Sequence, residues 1–142
     1  EIFGAVKDGV IVPTVGPHIT CQCLRVPVLD GHMAAVFVRF KNKPTKEELI
    51  EKIMAYKGLP QELNLPSAPS QFMVYREEDD RPQVKLDVDY ENGMGITVGR
   101  LREDHYFDFK FVALSHNTIR GAAGGAVLSA ELLKAKGYIT KR

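Results

Sequence analysis

The chain has 142 residues, of which 44% are hydrophobic and 26% charged, so it is long enough to bury a core without disulfides or a structural metal. Its 19 basic and 18 acidic residues give a net charge of +1 and alternate in sign, which argues against nucleic acid and anionic membranes as partners. No apolar run approaches the roughly 20 residues of a membrane span, and the first residues lack the pattern of a signal peptide. We therefore predict a cytoplasmic protein with a single domain over residues 1–142, and because the sequence begins with Glu1 and not Met, we interpret it as a fragment or a processed chain.

The first 40 residues have the apolar alternation of short strands. The pattern predicts strands at Val10–Val12, Ile19–Leu24 and Met33–Phe40. Turn-forming residues separate these segments, among them Pro13 and the Asp30-Gly31 pair.

A helix is predicted next. Thr45 and Glu48 have the spacing of a capping box, apolar residues follow at helical spacing, and Gly58 is a stop signal. Residues 59–70 contain three prolines together with several leucines, so we expect an ordered loop that covers another part of the molecule.

The second half of the chain alternates between strands and a final helix. We predict strands at Phe72–Tyr75, Val84–Val88, Met94–Arg102 and Tyr106–Leu114, with the last two forming an antiparallel hairpin, and a helix at Ile119–Lys136 that ends at Gly137. This order of elements indicates an α+β fold, in which helices pack on one face of a mixed, largely antiparallel sheet.

Cys21 and Cys23 are the only cysteines, and on a strand their side chains would share one face. With His18 and His32 nearby, a zinc site is conceivable, but no second pair of ligands completes a known spacing. We predict no metal site and interpret the cysteines as reduced, half-buried thiols.

Arg25 and His32 lie seven residues apart and have the chemistry of half an active site. A guanidinium can hold a carboxylate through two parallel hydrogen bonds, and an imidazole is suited to proton transfer near neutral pH. Each residue also has a simpler interpretation, because a histidine after a glycine turn is often structural and a strand arginine often lies on the surface. Three further arginines are candidates for phosphate binding, although charges at such positions are usually solvated: Arg81, Arg100 and Arg102.

Two glycine-bearing segments are candidates for nucleotide-binding sites. Gly93–Gly99 has the spacing G-x-G-x-x-x-G and continues as a strand, so it is not a dinucleotide fingerprint. Gly121, Gly124 and Gly125 stand in the first turns of the last helix, where glycine indicates the close approach of another backbone or a ligand. Asn117, just before them, could also be the helix N-cap.

Five segments, taken together in their order along the chain, resemble the C-terminal domain of aspartate-semialdehyde dehydrogenase, and in particular its archaeal and fungal branch. They are Arg25-Val-Pro-Val-Leu-Asp-Gly-His32, Leu65-Pro-Ser-Ala-Pro69, Asp80-Arg-Pro-Gln83, Gly93-Met-Gly-Ile-Thr-Val-Gly-Arg-Leu-Arg102 and His116-Asn-Thr-Ile-Arg-Gly-Ala-Ala-Gly-Gly125. They extend across nearly the whole chain, which makes the resemblance specific.

The resemblance implies an enzyme that converts L-aspartyl-4-phosphate to L-aspartate 4-semialdehyde with NADPH, on the route to threonine, methionine and lysine. It assigns His32 as general acid/base, Arg25 as the residue that holds the substrate carboxylate, and Asn117 and Gly121 as cofactor-binding residues. The nucleophilic cysteine would lie upstream of this sequence, and neither of its two cysteines fits that position.

The same resemblance implies a substrate-binding and dimerisation domain with a homodimer formed through the sheet. Residues 116–142 would pack on a nucleotide-binding domain that is absent from this sequence, and the fragment alone would be inactive. Two alternatives stay open: a non-catalytic oligomerisation module, and a domain of a related acylglutamyl-phosphate reductase.

Overall fold

The computed structural model describes residues 4–13 and 16–140. Its first elements are the short strands β1 (Ala5–Lys7) and β2 (Val10–Val12), which pair in an antiparallel hairpin. The turn between them places Asp8 and Gly9 at φ 51° and 77°, in the left-handed region. The predicted strand at Val10–Val12 is confirmed.

The main sheet has four strands in the order β3-β6-β5-β4. These are β3 (His32–Val38), β4 (Met73–Arg76), β5 (Ile96–Glu103) and β6 (Phe109–Ser115). β6 pairs antiparallel with both β3 and β5, whereas β4 runs parallel to β5. The mixed, largely antiparallel sheet of the predicted α+β class is therefore confirmed.

Cross-strand partners place the core on both faces of this sheet, because residues paired across strands point to the same side. Leu114 pairs with Thr97, and both are only 1% exposed. On the opposite face Val98 is 3% exposed and Phe109 1%. The best-buried residues thus lie on the two central strands.

Helix α1 (Lys46–Ala55) begins as its sequence predicts. The Thr45 hydroxyl accepts a hydrogen bond from the Glu48 backbone N–H at 3.1 Å, and the Glu48 carboxylate accepts one from the Thr45 N–H at 2.7 Å. This capping box fixes the first turn. At the other end, Met54 Sδ lies 3.1 Å from the backbone N of Tyr75, which brings α1 against β4.

Residues 59–70 form an ordered segment, as predicted, that opens with the short helix α2 (Leu59–Glu62). Two serines hold its far end in place. The N–H and hydroxyl of Ser67 donate to the Glu131 carboxylate at 3.0 and 2.7 Å, and those of Ser70 donate to Glu91 at 2.8 and 2.9 Å.

The strand predicted at Ile19–Leu24 is wrong, because residues 16–31 form no strand or helix. Ile19 is 62% exposed and Leu24 77%. Alternation stabilises a strand only where a neighbouring strand pairs with its backbone and a surface covers its apolar side. The described part of the chain supplies neither for this segment.

The strand predicted at Val84–Val88 is also wrong, because the segment contains the helical turn α3 (Val84–Asp87). The Gln83 N–H donates to the Asp87 carboxylate at 2.7 Å, which satisfies a free donor at the start of the turn. Val84 and Val88, four residues apart, then face the same way, and both approach Gly31.

The hairpin of β5 and β6 is confirmed, and Asp104 organises its loop. Its carboxylate accepts the N–H groups of Tyr106 and Phe107 at 2.9 and 3.0 Å and pairs with Lys110 at 3.0 Å. The hydrogen bond from Tyr106, with the Lys110 and Phe107 contacts, lowers the pKa of Asp104 to about 2.

The last helix is confirmed, but its first turn differs from a regular α-helix. Residues Ile119–Ala123 form a π-helical turn, and α4 (Gly124–Ala135) continues from it. Gly137 ends the helix at φ 79°, as the sequence predicts.

Candidate active site

His32 is the first residue of β3 and pairs with Ser115 of β6. Its side chain is exposed, and it forms no hydrogen bond or ion pair with the residues that the structure describes. An exposed imidazole on a paired strand combines a fixed backbone with a ring that is free to take up or release a proton.

The turn before His32 is held by a distant part of the chain. The Gly31 N–H donates to the Asn117 side-chain oxygen at 2.8 Å, across 86 residues of sequence. The Thr118 hydroxyl donates to the Asp30 carboxylate at 3.2 Å, across 88 residues. The structure therefore brings His32 and Asn117 to one end of the sheet.

His116 anchors the same region from the inside. His116 is only 6% exposed, and its Nδ1 accepts a hydrogen bond from the Ile119 N–H at 3.3 Å. This bond satisfies a donor at the start of the last helix, a role that the sequence analysis considered for Asn117. Gly93 leaves room for the imidazole, because a Cβ at that position would lie 3.0 Å from the His116 ring.

The glycines of the last helix divide into two groups. A Cβ at Gly124 would meet the Met94 sulfur, and one at Gly125 would meet the Arg120 carbonyl, so contacts within this chain explain both. Our sequence-based expectation that another backbone or a ligand requires them is thus corrected for these two positions. Gly121 is exposed, and its N–H donates to the His116 carbonyl at 3.0 Å.

Arg25 is placed differently from His32. It lies in the exposed segment 16–29 and forms no ion pair or hydrogen bond within residues 4–13 and 16–140. Among the described residues, no hydrogen bond therefore joins Arg25 to the candidate catalytic histidine.

Cys21 and Cys23 are both free and exposed in this segment. Since the predicted strand is not formed, our interpretation of half-buried thiols on one strand face is wrong. Among the described residues, no group of three or more His, Cys, Asp or Glu side chains is arranged to hold a metal ion.

Arg81, considered above as a phosphate ligand, is instead committed to a structural ion pair. It donates through Nε and Nη2 to Asp87, which is 3% exposed. Burial raises the pKa of Asp87, but hydrogen bonds from Arg81 and Gln83 outweigh it and hold the pKa below its ordinary value. The same hydrogen bond raises the pKa of Arg81. Arg100 and Arg102 are exposed.

The roles of Asp30, His116 and Thr118 were not predicted from the sequence. The run His116-Asn-Thr118 is a cluster of polar residues directly before a helix, which is the signal that could have drawn attention to it. The residues that bond to it, Asp30 and Gly31, are 88 and 86 residues away from their partners, so no local sequence pattern predicts these bonds.

A groove of about 410 Å³ lies beside this region. The loop residues Pro66 and Ala68 form one wall, and Met94, Gly124 and Val127 belong to the other. The expectation that residues 59–70 cover another part of the molecule is met here, since the loop packs beside the start of α4.

Residues 1–120 match the protein family described as semialdehyde dehydrogenase, dimerisation domain. The chain is 42% identical to the aspartate-semialdehyde dehydrogenase of Methanothermobacter thermautotrophicus over 94% of its own length and 39% of that protein. It is also 44% identical to the malonyl CoA reductase (NADP) of Metallosphaera sedula, over 100% of its own length and 41% of that protein.

Among solved structures, the aspartate semialdehyde dehydrogenase of Candida albicans, determined with NADP, superposes with a TM-score of 0.83 at 42% identity. The superposition covers 97% of this chain and 40% of that one. The chain thus spans about 40% of the length of the curated relatives that it matches. Within the described residues, no helix is long and apolar enough to cross a membrane.

Proposed function

This chain belongs to the semialdehyde dehydrogenase family, whose dimerisation domain it matches, and from that premise we propose that the polypeptide in which it occurs is an aspartate-semialdehyde dehydrogenase. The reaction is the NADPH-dependent conversion of L-aspartyl-4-phosphate to L-aspartate 4-semialdehyde with release of phosphate, on the route to threonine, methionine and lysine. The chain serves as the substrate-binding and dimerisation domain over residues 1–142.

The observation that carries this proposal is the placement of His32. Its backbone is fixed by β6 and by the anchored turn, while its imidazole is exposed at the end of the sheet. We assign it as the general acid/base that takes the proton of a nucleophilic thiol. The thiol comes from outside residues 1–142, so the chain alone is expected to be inactive.

Arg25 is assigned to the substrate. A guanidinium without an internal partner is available to form two parallel hydrogen bonds with a carboxylate. Its exposed segment can present that group once the rest of the site surrounds it.

NADP is the proposed cofactor, held mainly by a nucleotide-binding domain that residues 116–142 contact. When bound, it supplies or accepts the hydride. The residues present are compatible with its approach, because Gly121 is exposed and carries no side chain. The Asn117 side chain has its oxygen engaged by Gly31, so its amide N–H groups are the donors that it offers to a ligand. We therefore assign cofactor contacts to Asn117 and Gly121.

A second copy of the chain is the proposed partner. Met33 and Phe37 lie on the same face of β3, and they are 50% and 54% exposed. Exposed apolar side chains on an antiparallel sheet are typical of a subunit interface. The cytoplasmic location predicted from the sequence stays a prediction.

A malonyl-CoA reductase is the second candidate function. It is favoured by the relative from Metallosphaera sedula, which aligns with the entire chain. Malonyl-CoA and aspartyl phosphate both carry a free carboxylate that Arg25 could hold, so this residue does not discriminate between them.

The test uses the complete polypeptide in which this sequence occurs. NADP reduction is measured with aspartate semialdehyde plus phosphate, and separately with malonate semialdehyde plus coenzyme A. We expect the first pair to be the substrate, and a preference for the second would replace our first candidate with the reductase. Activity with neither pair would refute both and favour one of the two alternatives from the sequence, a non-catalytic oligomerisation module or a related acylglutamyl-phosphate reductase.

His32→Asn is then compared with His105→Asn, a matched change at an exposed histidine in the β5–β6 loop. We expect His32→Asn to lower kcat by about 100-fold with little change in KM, the usual size of a general acid/base contribution. His105→Asn should keep the native rate. Equal activity of the two variants would contradict the role of His32.

A further inference from the structure

We propose that Asn117 and Thr118 are positioning residues for His32, and that their side chains hold the turn from which β3 begins. This inference rests on the proposed function and assigns these residues an effect on the reaction through the histidine. It is carried by two long-range hydrogen bonds and by the packing behind the turn.

The first bond comes from the residue adjacent to His32. The Gly31 backbone N–H donates to Asn117 Oδ1 at 2.8 Å, and Gly31 is buried. A buried backbone donor of this kind needs an acceptor. The Asn117 amide is therefore oriented with its oxygen toward the turn. Asn117 therefore acts on the peptide unit that leads directly into the histidine.

The second bond holds the other residue of the turn. Thr118 Oγ1 lies 3.2 Å from Asp30 Oδ1 and 3.3 Å from His116 Nδ1. His116 Nδ1 already accepts the Ile119 N–H, and a carboxylate is the stronger acceptor, so the single hydroxyl proton is directed to Asp30. The turn is thus tied to the start of the last helix at both of its residues.

Packing restricts the turn further. A Cβ at Gly31 would lie 3.2 Å from Leu114, 3.2 Å from Val84 and 3.3 Å from Val88, so the backbone is pressed closely against these side chains. The hydrogen bonds and these close methyl groups together fix where β3 starts. Since a displacement of about 1 Å can cost about 100-fold in rate, this constraint matters for a proton-transferring group.

The first test compares Asn117→Ala with Asn117→Asp in the complete polypeptide. Aspartate keeps an oxygen that can accept the Gly31 N–H, whereas alanine does not. At saturating NADP, we expect kcat to fall about tenfold in Asn117→Ala and less than about threefold in Asn117→Asp. The KM for NADP should rise in both variants, because both lose the amide donors assigned to the cofactor. If Asn117 acts only by donating its amide N–H groups to the cofactor, the two variants will lose activity equally, and the inference fails.

A double-mutant cycle then asks whether Asn117 acts through His32. In the His32→Asn background, Asn117→Ala should lower kcat by less than about twofold, because the group that it positions is already lost. Independent, multiplying effects of the two substitutions would overturn the proposal. A purely structural role would produce such independent effects.

Thr118 is tested with Val and Ser, which respectively remove and keep the hydroxyl. We expect about a threefold loss of kcat in Thr118→Val and recovery of most of it in Thr118→Ser. The control is Ser129→Ala, which removes an exposed hydroxyl bonded to the Gly125 carbonyl and should leave kcat unchanged. A loss in Ser129→Ala equal to that in Thr118→Val would assign the effect to the helix as a whole.

Amide hydrogen exchange separates this inference from the proposed function, since it requires no activity. Asn117→Ala should speed exchange at Gly31 by at least about tenfold while Leu114 stays protected, and Asn117→Asp should keep Gly31 protected. Unchanged exchange at Gly31 in Asn117→Ala would refute the hydrogen-bond role whatever the polypeptide catalyses. If exchange behaves as expected but neither substrate pair is turned over, the proposed function fails, and the effect on His32 chemistry falls with it.

Discussion

The two residues that the sequence places together as half an active site lie in regions of opposite character. His32 follows a turn that is buried, hydrogen-bonded to residues 117 and 118 and backed by Leu114. Arg25 lies in segment 16–29, where Leu24 is 77% exposed and Leu29 99%. We call these the anchored region, residues 30–32 with 116–119, and the open segment, residues 16–29.

This difference separates what the chain specifies by itself from what it leaves to its surroundings. The anchored region gains its geometry from long-range contacts within the 142 residues, so His32 is placed before any substrate or partner is bound. The open segment carries apolar side chains that the described residues leave uncovered. Under the proposed function, Arg25 reaches the substrate only when another surface packs against that segment.

The largest expected effect tests the support beneath the anchored region. Asp87→Ala removes the carboxylate that Arg81 and the Gln83 N–H share, and it leaves Arg81 without its buried partner. Breaking a buried pair in this way costs about 3–5 kcal/mol, and α3, whose Val84 backs Gly31, should loosen. Urea unfolding of the chain measures the loss.

The control for that experiment is Asp89→Ala, which removes an exposed carboxylate two residues further along the chain. Its effect should stay within about 0.5 kcal/mol. Equal destabilisation by the two substitutions would show that the Asp87 ion pair contributes no more than a surface charge does.

Gly31→Ala breaks the anchored region directly. Gly31 has φ +91°, which an L side chain adopts only with strain, and the new methyl group would press on Leu114, Val84 and Val88. We expect a loss of about 1–3 kcal/mol in the free energy of unfolding, together with a lower kcat as His32 shifts. Gly16→Ala, where a Cβ meets nothing within 4 Å, is the control in the open segment. A stable Gly31→Ala protein with native kcat would mean that the turn does not determine the position of His32.

Arg25→Lys tests the open segment through substrate binding. Lysine keeps the charge but loses the planar pair of donors, so KM should rise about tenfold while kcat changes little. Stability should not change, because Arg25 is exposed and forms no hydrogen bond or ion pair with the described residues. Steady-state kinetics of the complete polypeptide provide the measurement, and an unchanged KM would make Arg25 an ordinary surface residue.

Local signals in the sequence predicted most of the fold. The capping box at Thr45 and Glu48, the strands at the centre of the sheet and the stop at Gly137 depend on residues a few positions apart. The prediction failed at Val84–Val88, where the buried Asp87 carboxylate stabilises a helical turn in an alternating segment. It also failed at Ile19–Leu24, where the alternating segment has no partner strand among the described residues. Tertiary context overrides local propensity in both segments.

The candidate site shows the same limit. Residue chemistry was enough to single out His32 and Arg25, but the bonds from Gly31 to Asn117 and from Thr118 to Asp30 connect residues that no local pattern relates. The alternative interpretation of Asn117 as the helix N-cap was wrong, because its side-chain oxygen accepts the Gly31 N–H. His116, whose ring also lies against Gly93, caps the helix instead.

The smallest expected effect sharpens the comparison most cleanly, because the same type of substitution is made in the open segment and directly behind the anchored region. Leu29→Ala removes a side chain that is 99% exposed and should change the stability of this chain by less than about 0.5 kcal/mol. Leu114→Ala, at 1% exposure behind the turn, should cost about 2–5 kcal/mol in the same urea titration. Repeating Leu29→Ala in the complete polypeptide then measures what covers the open segment, since any added cost there must come from contacts that residues 1–142 do not make among themselves. Equal values in the two settings would show that the segment stays uncovered, and Arg25 would then have no surface to hold it beside His32.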